Sequence, residues 1–263
     1  MDNFMNLRLA VLIDAENVPR GSIKEVLEEI AIYGTPTIKR IYGDWTNPYV
    51  AGWKNKLVEN AITPIQQYSY TQGKNSSDSA MIIDAMDILY TNKTDGFVIV
   101  SSDSDFTRLA VRLREAGQRV IGIGERKTPS AFIAACDKFT YIEAIRKQHN
   151  ISATNGTDTA SDDSYTEHFE HKKHIIPNGI VPDDIIELIA NSISDIADDN
   201  GLAFLGELGN LLLKKQPDFD HRNYGYKTLT AMIKSIDRFE MEFRQTADPN
   251  IKHVFVRDKE NHQ

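Results

Sequence analysis

Short apolar runs recur through the first 146 residues and are separated by longer segments of mixed polarity. The run from Phe97 to Val100 is rich in β-branched residues and follows Asp95-Gly96. A run of this kind predicts a strand buried on both faces, as in a parallel sheet. Similar patterns predict further strands at residues 7–13, 37–42, 63–68, 120–124 and 139–142.

Between these runs, apolar side chains recur at the spacing of a helix. Ile23, Val26 and Ile30 fall on one helical face, and Gly34 follows as a stop. Helices are predicted at residues 22–33, 49–61, 78–89, 106–116 and 130–136. Because strand and helix alternate throughout, residues 1–148 are predicted to form an α/β domain with a doubly wound, mainly parallel sheet of the Rossmann-like kind.

The pattern changes after residue 148. Residues 149–178 are small and polar and have little to bury, so they are predicted to be a flexible linker. From residue 179 to 263 the pattern predicts a second domain with helices at 182–196, 204–215 and 226–239 and strands at 240–244 and 251–257. Three helices and a hairpin indicate a small winged-helix domain.

Four aspartates stand at positions where they would meet in such a fold. Asp14 and Asp103 each follow a predicted strand, Asp105 comes two residues later, and Asp78 begins a helix. Open α/β sheets place their ligand crevice at the carboxyl ends of the strands, and converging carboxylates favour a hard divalent cation such as Mg²⁺ or Mn²⁺. The alternative is that Asp105 caps a helix, Asp103 lies in a solvated turn and Asp78 stabilises a helix dipole.

Composition narrows the class of protein. A single cysteine, Cys136, excludes an internal disulfide framework and favours a cytoplasmic setting, and no apolar run approaches the length of a membrane span. The formal net charge of -8 argues against a protein that coats nucleic acid electrostatically, although carboxylates that hold metal ions contribute to that charge. Residues 212–257 hold nine Lys or Arg against six Asp or Glu, a positive balance suited to a phosphate backbone.

Three motifs resemble the NYN domain, also called LabA-like, a branch of the PIN-like metal-dependent ribonucleases. They are Ile13–Asn17, Lys74–Asp78 followed by Ile83–Ala85, and Val100–Phe106, in the order and spacing of that family. The likeness spans roughly residues 7–146. The second domain resembles the OST-HTH, or LOTUS, winged-helix domain, through residues 223–229, Phe239 and the predicted hairpin.

The NYN resemblance implies a role for each motif residue. The catalytic acids that would bind Mg²⁺ or Mn²⁺ are Asp14, Asp78, Asp103 and Asp105. The residues that would orient the first acid or contact substrate phosphate are Asn17, Lys74 and Ser102. In the second domain, basic residues on or near the predicted third helix are the candidates for contacting RNA: Lys227, Lys234 and Arg238. Where many PIN-like nucleases carry Glu in the helix, this chain has Asp78, whose reach is shorter.

The sequence therefore predicts a metal-dependent endoribonuclease with a tethered RNA-binding domain, and RNA as its partner. One alternative is a non-catalytic RNA-binding or regulatory protein with a vestigial acidic pocket. Another is a phosphatase-like hydrolase, but that chemistry requires a second Asp two residues after the first, and Glu16 stands there. The sequence is compatible with a homo-oligomer and predicts no membrane partner.

Overall fold

The structure is a computed structural model that describes residues 7–67, 76–146, 179–245 and 252–261. The chain divides into two compact units, Met1–His149 and Asn150–Gln263. The predicted linker, residues 149–178, lies outside the described residues. In the described part of the chain, no helix combines the length and the apolar character needed to cross a bilayer.

The first unit contains a six-stranded parallel sheet, which confirms the predicted α/β class. Its strands are β1 (Arg8–Asp14), β2 (Thr35–Gly43), β3 (Thr63–Gln66), β4 (Gly96–Val100), β5 (Arg119–Gly124) and β6 (Lys138–Tyr141). The helices described in this unit include α1 (Ile23–Tyr33), α2 (Lys54–Asn60), α3 (Ser76–Tyr90), α4 (Thr107–Glu115) and α5 (Ser130–Ala135). Strands and helices alternate along the chain as the pattern predicts.

Helices cover both faces of the sheet. On β1, Leu9, Val11 and Ile13 pack on one face with residues of α1. Ala10 and Leu12 pack on the other face with residues of α3, α4 and α5. All five residues of β4 are buried, because this strand is covered on both faces and lies within the sheet.

The strand order reverses at one position of the sheet, between β1 and β4. The order is β3-β2-β1-β4-β5-β6, so the chain moves outward in one direction from β1 and in the other from β4. In doubly wound sheets the crevice for a ligand lies at this reversal, beyond the carboxyl ends of the two strands. Those ends carry Asp14, the last residue of β1, and the segment Ser101–Asp105 after β4.

In its described residues, the second unit packs three α-helices against a small antiparallel sheet. Its elements are α6 (Asp183–Ile196), β7 (Ala203–Phe204), α7 (Leu205–Lys215), α8 (Leu229–Lys234), β8 (Phe239–Gln245) and β9 (Lys252–Asp258). The sheet order is β7-β9-β8, and its core includes the fully buried side chains of Ile189, Leu208, Leu212 and Met232. This is the architecture of a winged helix, with the two-residue strand β7 in addition to the predicted hairpin.

Two helices differ from the prediction. The predicted helix 226–239 is wrong, because α8 comprises only Leu229–Lys234. It begins where Thr228 Oγ accepts a hydrogen bond from the backbone N of Ala231 at 3.1 Å, and Phe239 already begins β8. The predicted helix 49–61 is a 3-10 segment, Pro48–Trp53, followed by α2.

Candidate functional site

Three carboxylates converge at the carboxyl edge of the sheet. Asp78 stands in the first turn of α3, Asp103 directly precedes the 3-10 turn Ser104–Phe106, and Asp105 lies within that turn. One oxygen from each of these three side chains lies within 4.8 Å of the others. Residues from two separate elements are therefore brought to one place that a divalent ion can fill.

Asp14, the last residue of β1, is held beside this cluster by a set of donors. It is 2% exposed. Its Oδ1 accepts hydrogen bonds from the backbone N of Glu16 at 3.0 Å and of Asn17 at 3.3 Å. Its Oδ2 accepts from Asn17 Nδ2 and from Ser101 Oγ, both at 2.8 Å. These contacts fix the orientation of the carboxylate, and Asn17 contacts the site through Asp14.

Ser101 connects Asp14 with the cluster and was not among the residues expected from the sequence. Its buried hydroxyl donates to Asp14 Oδ2 and accepts from the backbone N of Asp103 at 3.1 Å. Ser102, the expected phosphate contact, accepts a hydrogen bond from the backbone N of Glu125 at 2.8 Å, and its contact with phosphate stays a prediction. Of the two adjacent serines, Ser101 is therefore the one that bonds Asp14.

The electrostatics of the site are those of crowded acids. Burial, and then the negative charges of Asp14, Asp103 and Asp105, raise the pKa of Asp78 to about 7. Burial and the charges of Asp14 and Asp44 also raise the pKa of Glu16. A cation bound among these side chains would relieve both effects.

Helix capping accounts for part of this arrangement. Asp103 Oδ1 accepts a hydrogen bond from the backbone N of Asp105 at 2.9 Å, so Asp103, rather than Asp105, caps the 3-10 turn. That bond uses one carboxylate oxygen of Asp103. Asp84, in the middle motif, has a different environment, because it accepts hydrogen bonds from Arg40 and from the hydroxyl of Tyr42.

Three other residues were expected to contact the RNA: Lys74, Lys227 and Lys234. Lys74 lies outside the described residues. Lys227 is exposed in the segment before α8, and Lys234 is the exposed last residue of that helix.

Arg238 has three carboxylate partners. Its guanidinium forms two-pronged bonds with Asp258 at 2.8–3.0 Å and contacts Glu187 at 2.5 Å and Glu260 at 3.1 Å. These contacts give Arg238 a structural role in the second unit, and the RNA contact expected from the sequence stays a prediction.

Comparison with known proteins places both units in families. The NYN domain model matches residues 8–143, and the OST-HTH/LOTUS domain model matches residues 180–251. An uncharacterised protein of Methanocaldococcus jannaschii is 31% identical over 124 residues, 44% of this chain and 47% of that protein, so the chain spans about half the length of the curated relative it matches.

Two solved structures are also similar to this chain. A crystal structure of a protein of unknown function from Vibrio parahaemolyticus is 19% identical with a TM-score of 0.45, and covers 54% of this chain and 96% of that one. An uncharacterised protein from Nitrosomonas europaea, solved by NMR in solution, is 32% identical with a TM-score of 0.28, and covers 41% of this chain and 95% of that one.

The two family models carry functional information of a general kind. NYN domains are generally nucleases, and such nucleases typically use divalent metals. OST-HTH/LOTUS domains bind RNA. The NYN match covers more than half of the 263 residues, and its span contains Asp14, Asp78, Asp103 and Asp105. The chain therefore belongs to the NYN domain family, and an OST-HTH/LOTUS domain follows its NYN domain.

Proposed function

We propose that this protein is a metal-dependent endoribonuclease that hydrolyses RNA phosphodiester bonds and holds its substrate partly through a tethered RNA-binding domain. The observation that carries the proposal is the convergence of Asp78, Asp103 and Asp105 within 4.8 Å, beside the fixed carboxylate of Asp14. The position of these acids at the reversal of strand order supports a ligand site.

The donor set fits Mg²⁺ or Mn²⁺. Asp78, Asp103 and Asp105 would hold the ion, and hard carboxylate oxygens are the ligands that these cations prefer. When bound, a divalent ion supplies activation of water at neutral pH and stabilisation of negative charge on the reacting phosphate. The raised pKa of Asp78 indicates that the site favours positive charge from any source, a proton included.

The protein's own groups would keep this centre in one geometry. Ser101 Oγ bonds both Asp14 Oδ2 and the backbone N of Asp103, so the two strand ends cannot move independently without losing a buried hydrogen bond. Asn17 holds Asp14 from the other side. In the metal-free site the pKa of Asp78 is about 7, so its carboxyl group can take up or release a proton close to neutral pH, and a bound cation would favour its ionised form.

A cleavage assay tests the proposal. Labelled single-stranded and structured RNAs are incubated with the full chain in Mn²⁺, Mg²⁺ or EDTA. We expect cleavage with a divalent ion and none in EDTA, and a loss of about 100-fold or more in Asp103→Asn and in Asp14→Asn, the scale on which charge-stabilising groups act. Asp87→Asn, an exposed acid elsewhere on α3, is the matched control and should retain full activity.

The alternative, a non-catalytic RNA-binding protein, predicts another result in the same assay. RNA would be bound, yet it would remain intact with every metal. Full activity of both Asp103→Asn and Asp14→Asn, or activity of the wild type in EDTA, would contradict the metal mechanism.

For the second unit we propose that Lys227 and Lys234 contact the RNA backbone, since both are exposed and lie next to or within α8. The double variant Lys227→Glu/Lys234→Glu should weaken RNA binding of the full chain in EDTA, and the slope of log affinity against log salt should fall by about 1 for each lost contact. Lys214→Glu, an exposed lysine on α7, is the control. Equal binding by the double variant and the wild type would favour a protein partner for this unit.

A further inference from the structure

The segment after β5 is joined directly to the acidic segment after β4. The backbone N of Ser101 donates to the carbonyl O of Ile123 at 3.0 Å, and the backbone N of Glu125 donates to Ser102 Oγ at 2.8 Å. A Cβ built on Gly124 would lie 2.6 Å from the carbonyl O of Ser101. Residue 126 therefore follows a backbone that is fixed against the residues immediately before Asp103.

Arg126 extends from this point over an aromatic ring. Its guanidinium carbon lies 5.2 Å from the ring centroid of Tyr141, the last residue of β6, at the same carboxyl edge of the sheet. Arg126 is exposed, and its backbone N donates to Glu143 Oε1 at 3.1 Å. Among the described residues, no carboxylate forms an ion pair with its guanidinium. Lys127, by contrast, pairs with Glu125 at 2.7 Å.

This arrangement suits an anion better than a structural ion pair. A guanidinium that rests on an aromatic ring loses little further freedom when it binds, and its planar fork of donors matches phosphate oxygens. A polyanion next to crowded carboxylates also needs a nearby cation, and Arg126 supplies one a single strand away from β4.

We propose that Arg126, held in place by Tyr141, binds a backbone phosphate of the RNA that flanks the phosphate cleaved at the acidic centre. This inference rests on the proposed ribonuclease function and adds the direction of the strand, which runs from the end of β4 across the ends of β5 and β6. Arg126 is the phosphate contact, and Tyr141 is a positioning residue that acts through Arg126.

The inference can be tested by removing the charge of one RNA phosphate at a time. A set of short single-stranded RNAs, each with one neutral methylphosphonate near the cleavage point, is cleaved by the full chain in Mn²⁺. With the wild type, one flanking position should raise KM by about tenfold, the effect of losing a charge-assisted hydrogen bond, with little change in kcat. With Arg126→Gln, that position alone should lose its effect, while the other positions keep theirs.

Three further variants separate the contact from general surface charge. Tyr141→Leu should shift KM in the same direction as Arg126→Gln but less, and adding it to Arg126→Gln should have little further effect, since the ring acts through the guanidinium. Arg126→Lys should recover part of the affinity. Arg112→Gln removes an exposed arginine near the end of α4, at the amino edge of the sheet, and should leave the pattern of the wild type.

The two proposals fail in different ways. If the wild type cleaves RNA and Arg126→Gln shows the same dependence on each phosphate as the wild type, the subsite is wrong and the nuclease function stands. If the wild type cleaves no RNA with any metal, the nuclease function is wrong, and dissociation constants of the same RNAs decide the subsite. Binding by Arg126→Gln that keeps the sensitivity of the wild type to every phosphate would overturn it.

Discussion

Asp258 in the second unit and Asp78 in the first are both buried, but their surroundings are opposite. Asp258 in the second unit is 4% exposed and receives a two-pronged bond from Arg238. Asp78 in the first unit is 8% exposed, and its neighbours include the acids Asp14, Asp103 and Asp105, which together with burial raise its pKa to about 7. The carboxylate of Asp258 is paired with a cation, and the carboxylate of Asp78 lies among like charges.

The contrast separates acids that serve stability from acids that serve a ligand. A buried acid with an arginine partner is satisfied in the folded protein, and its loss is felt by the fold. A buried acid among other acids opposes folding until a proton or a metal ion relieves it, so its position requires another reason. Asp84, which accepts bonds from Arg40 and Tyr42, belongs to the first kind although it lies on the same helix as Asp78.

The largest expected effect on stability comes from removing Arg238, the cation that pairs with Asp258. Arg238→Met leaves Asp258 buried without its cation, and we expect the free energy of unfolding of the second unit to fall by about 3–5 kcal/mol. Hydrogen exchange of the β8 and β9 amides measures this unit in the full chain. Arg257→Met breaks the exposed pair with Glu240 and should change stability by less than about 1 kcal/mol.

Partial recovery of stability in Arg238→Met/Asp258→Asn would identify the unpaired charge as the cause. If Arg238→Met alone is as stable as the wild type, the proposed contrast between the two aspartates fails.

Removing the charge of Asp78 should raise the free energy of unfolding of the metal-free protein instead of lowering it. In EDTA, Asp78→Asn should unfold at a higher temperature than the wild type, by about 1–2 kcal/mol in stability once solvent screening is allowed for. In millimolar Mn²⁺ the wild type should gain stability by binding, and the advantage of the variant should vanish. Fluorescence of the two tryptophans, Trp45 and Trp53, follows the first unit.

Asp87→Asn, on the exposed side of α3, is the control for the previous measurement and should show neither effect. A variant Asp78→Asn that melts below the wild type in EDTA, with no gain of the wild type in Mn²⁺, would mean that the acids do not form a cation site.

The smallest expected effect is the pH dependence of the difference in metal-free stability between the wild type and Asp78→Asn. The pKa of Asp78 rises from 3.8 in the unfolded chain to about 7 in the fold, so the folded protein binds the extra proton between these values. Metal-free stability of the wild type should therefore fall, relative to Asp78→Asn, as the pH rises from about 4 to 7 and level off above it. Melting curves of both proteins in EDTA from pH 4 to 8 measure this difference, and a difference that is constant across the range contradicts the shifted pKa.

The pattern of apolar residues was sufficient to predict the main fold. The five buried residues of β4 form an unbroken apolar run, as expected of a strand covered on both faces. The pattern failed at α8, because the buried side chains of Ile236 and Phe239 continue the apolar spacing of Met232 and Ile233 after the helix has ended. The spacing of apolar residues indicates which positions are buried, but it does not identify the element that buries them. Here a turn and a strand bury their residues at intervals that a helix would also produce.

Sequence patterns also predicted only part of the candidate site. The acids could be expected at the carboxyl edge, because each stands next to a predicted strand or helix end. Ser101 was not predicted, because its bond to Asp14 depends on which of two adjacent serines turns toward that carboxylate, and identical neighbours do not reveal it. Two of the three carboxylate partners of Arg238, Glu187 and Asp258, lie 51 and 20 positions away in the sequence, so these ion pairs depend on tertiary contacts that local patterns do not contain.

Gly124 gives the site a vulnerability at a residue that has no side chain to contribute. A methyl group there would meet the carbonyl O of Ser101 at 2.6 Å and Thr128 Oγ1 at 2.7 Å, and a backbone carbonyl cannot move aside as the tip of a flexible side chain can. Any larger residue would displace Ser101 and, with it, the hydroxyl that links Asp14 to Asp103. In a lineage under selection for the acidic centre, position 124 should tolerate substitution as poorly as the aspartates themselves, and where that selection has lapsed it should be among the first to drift.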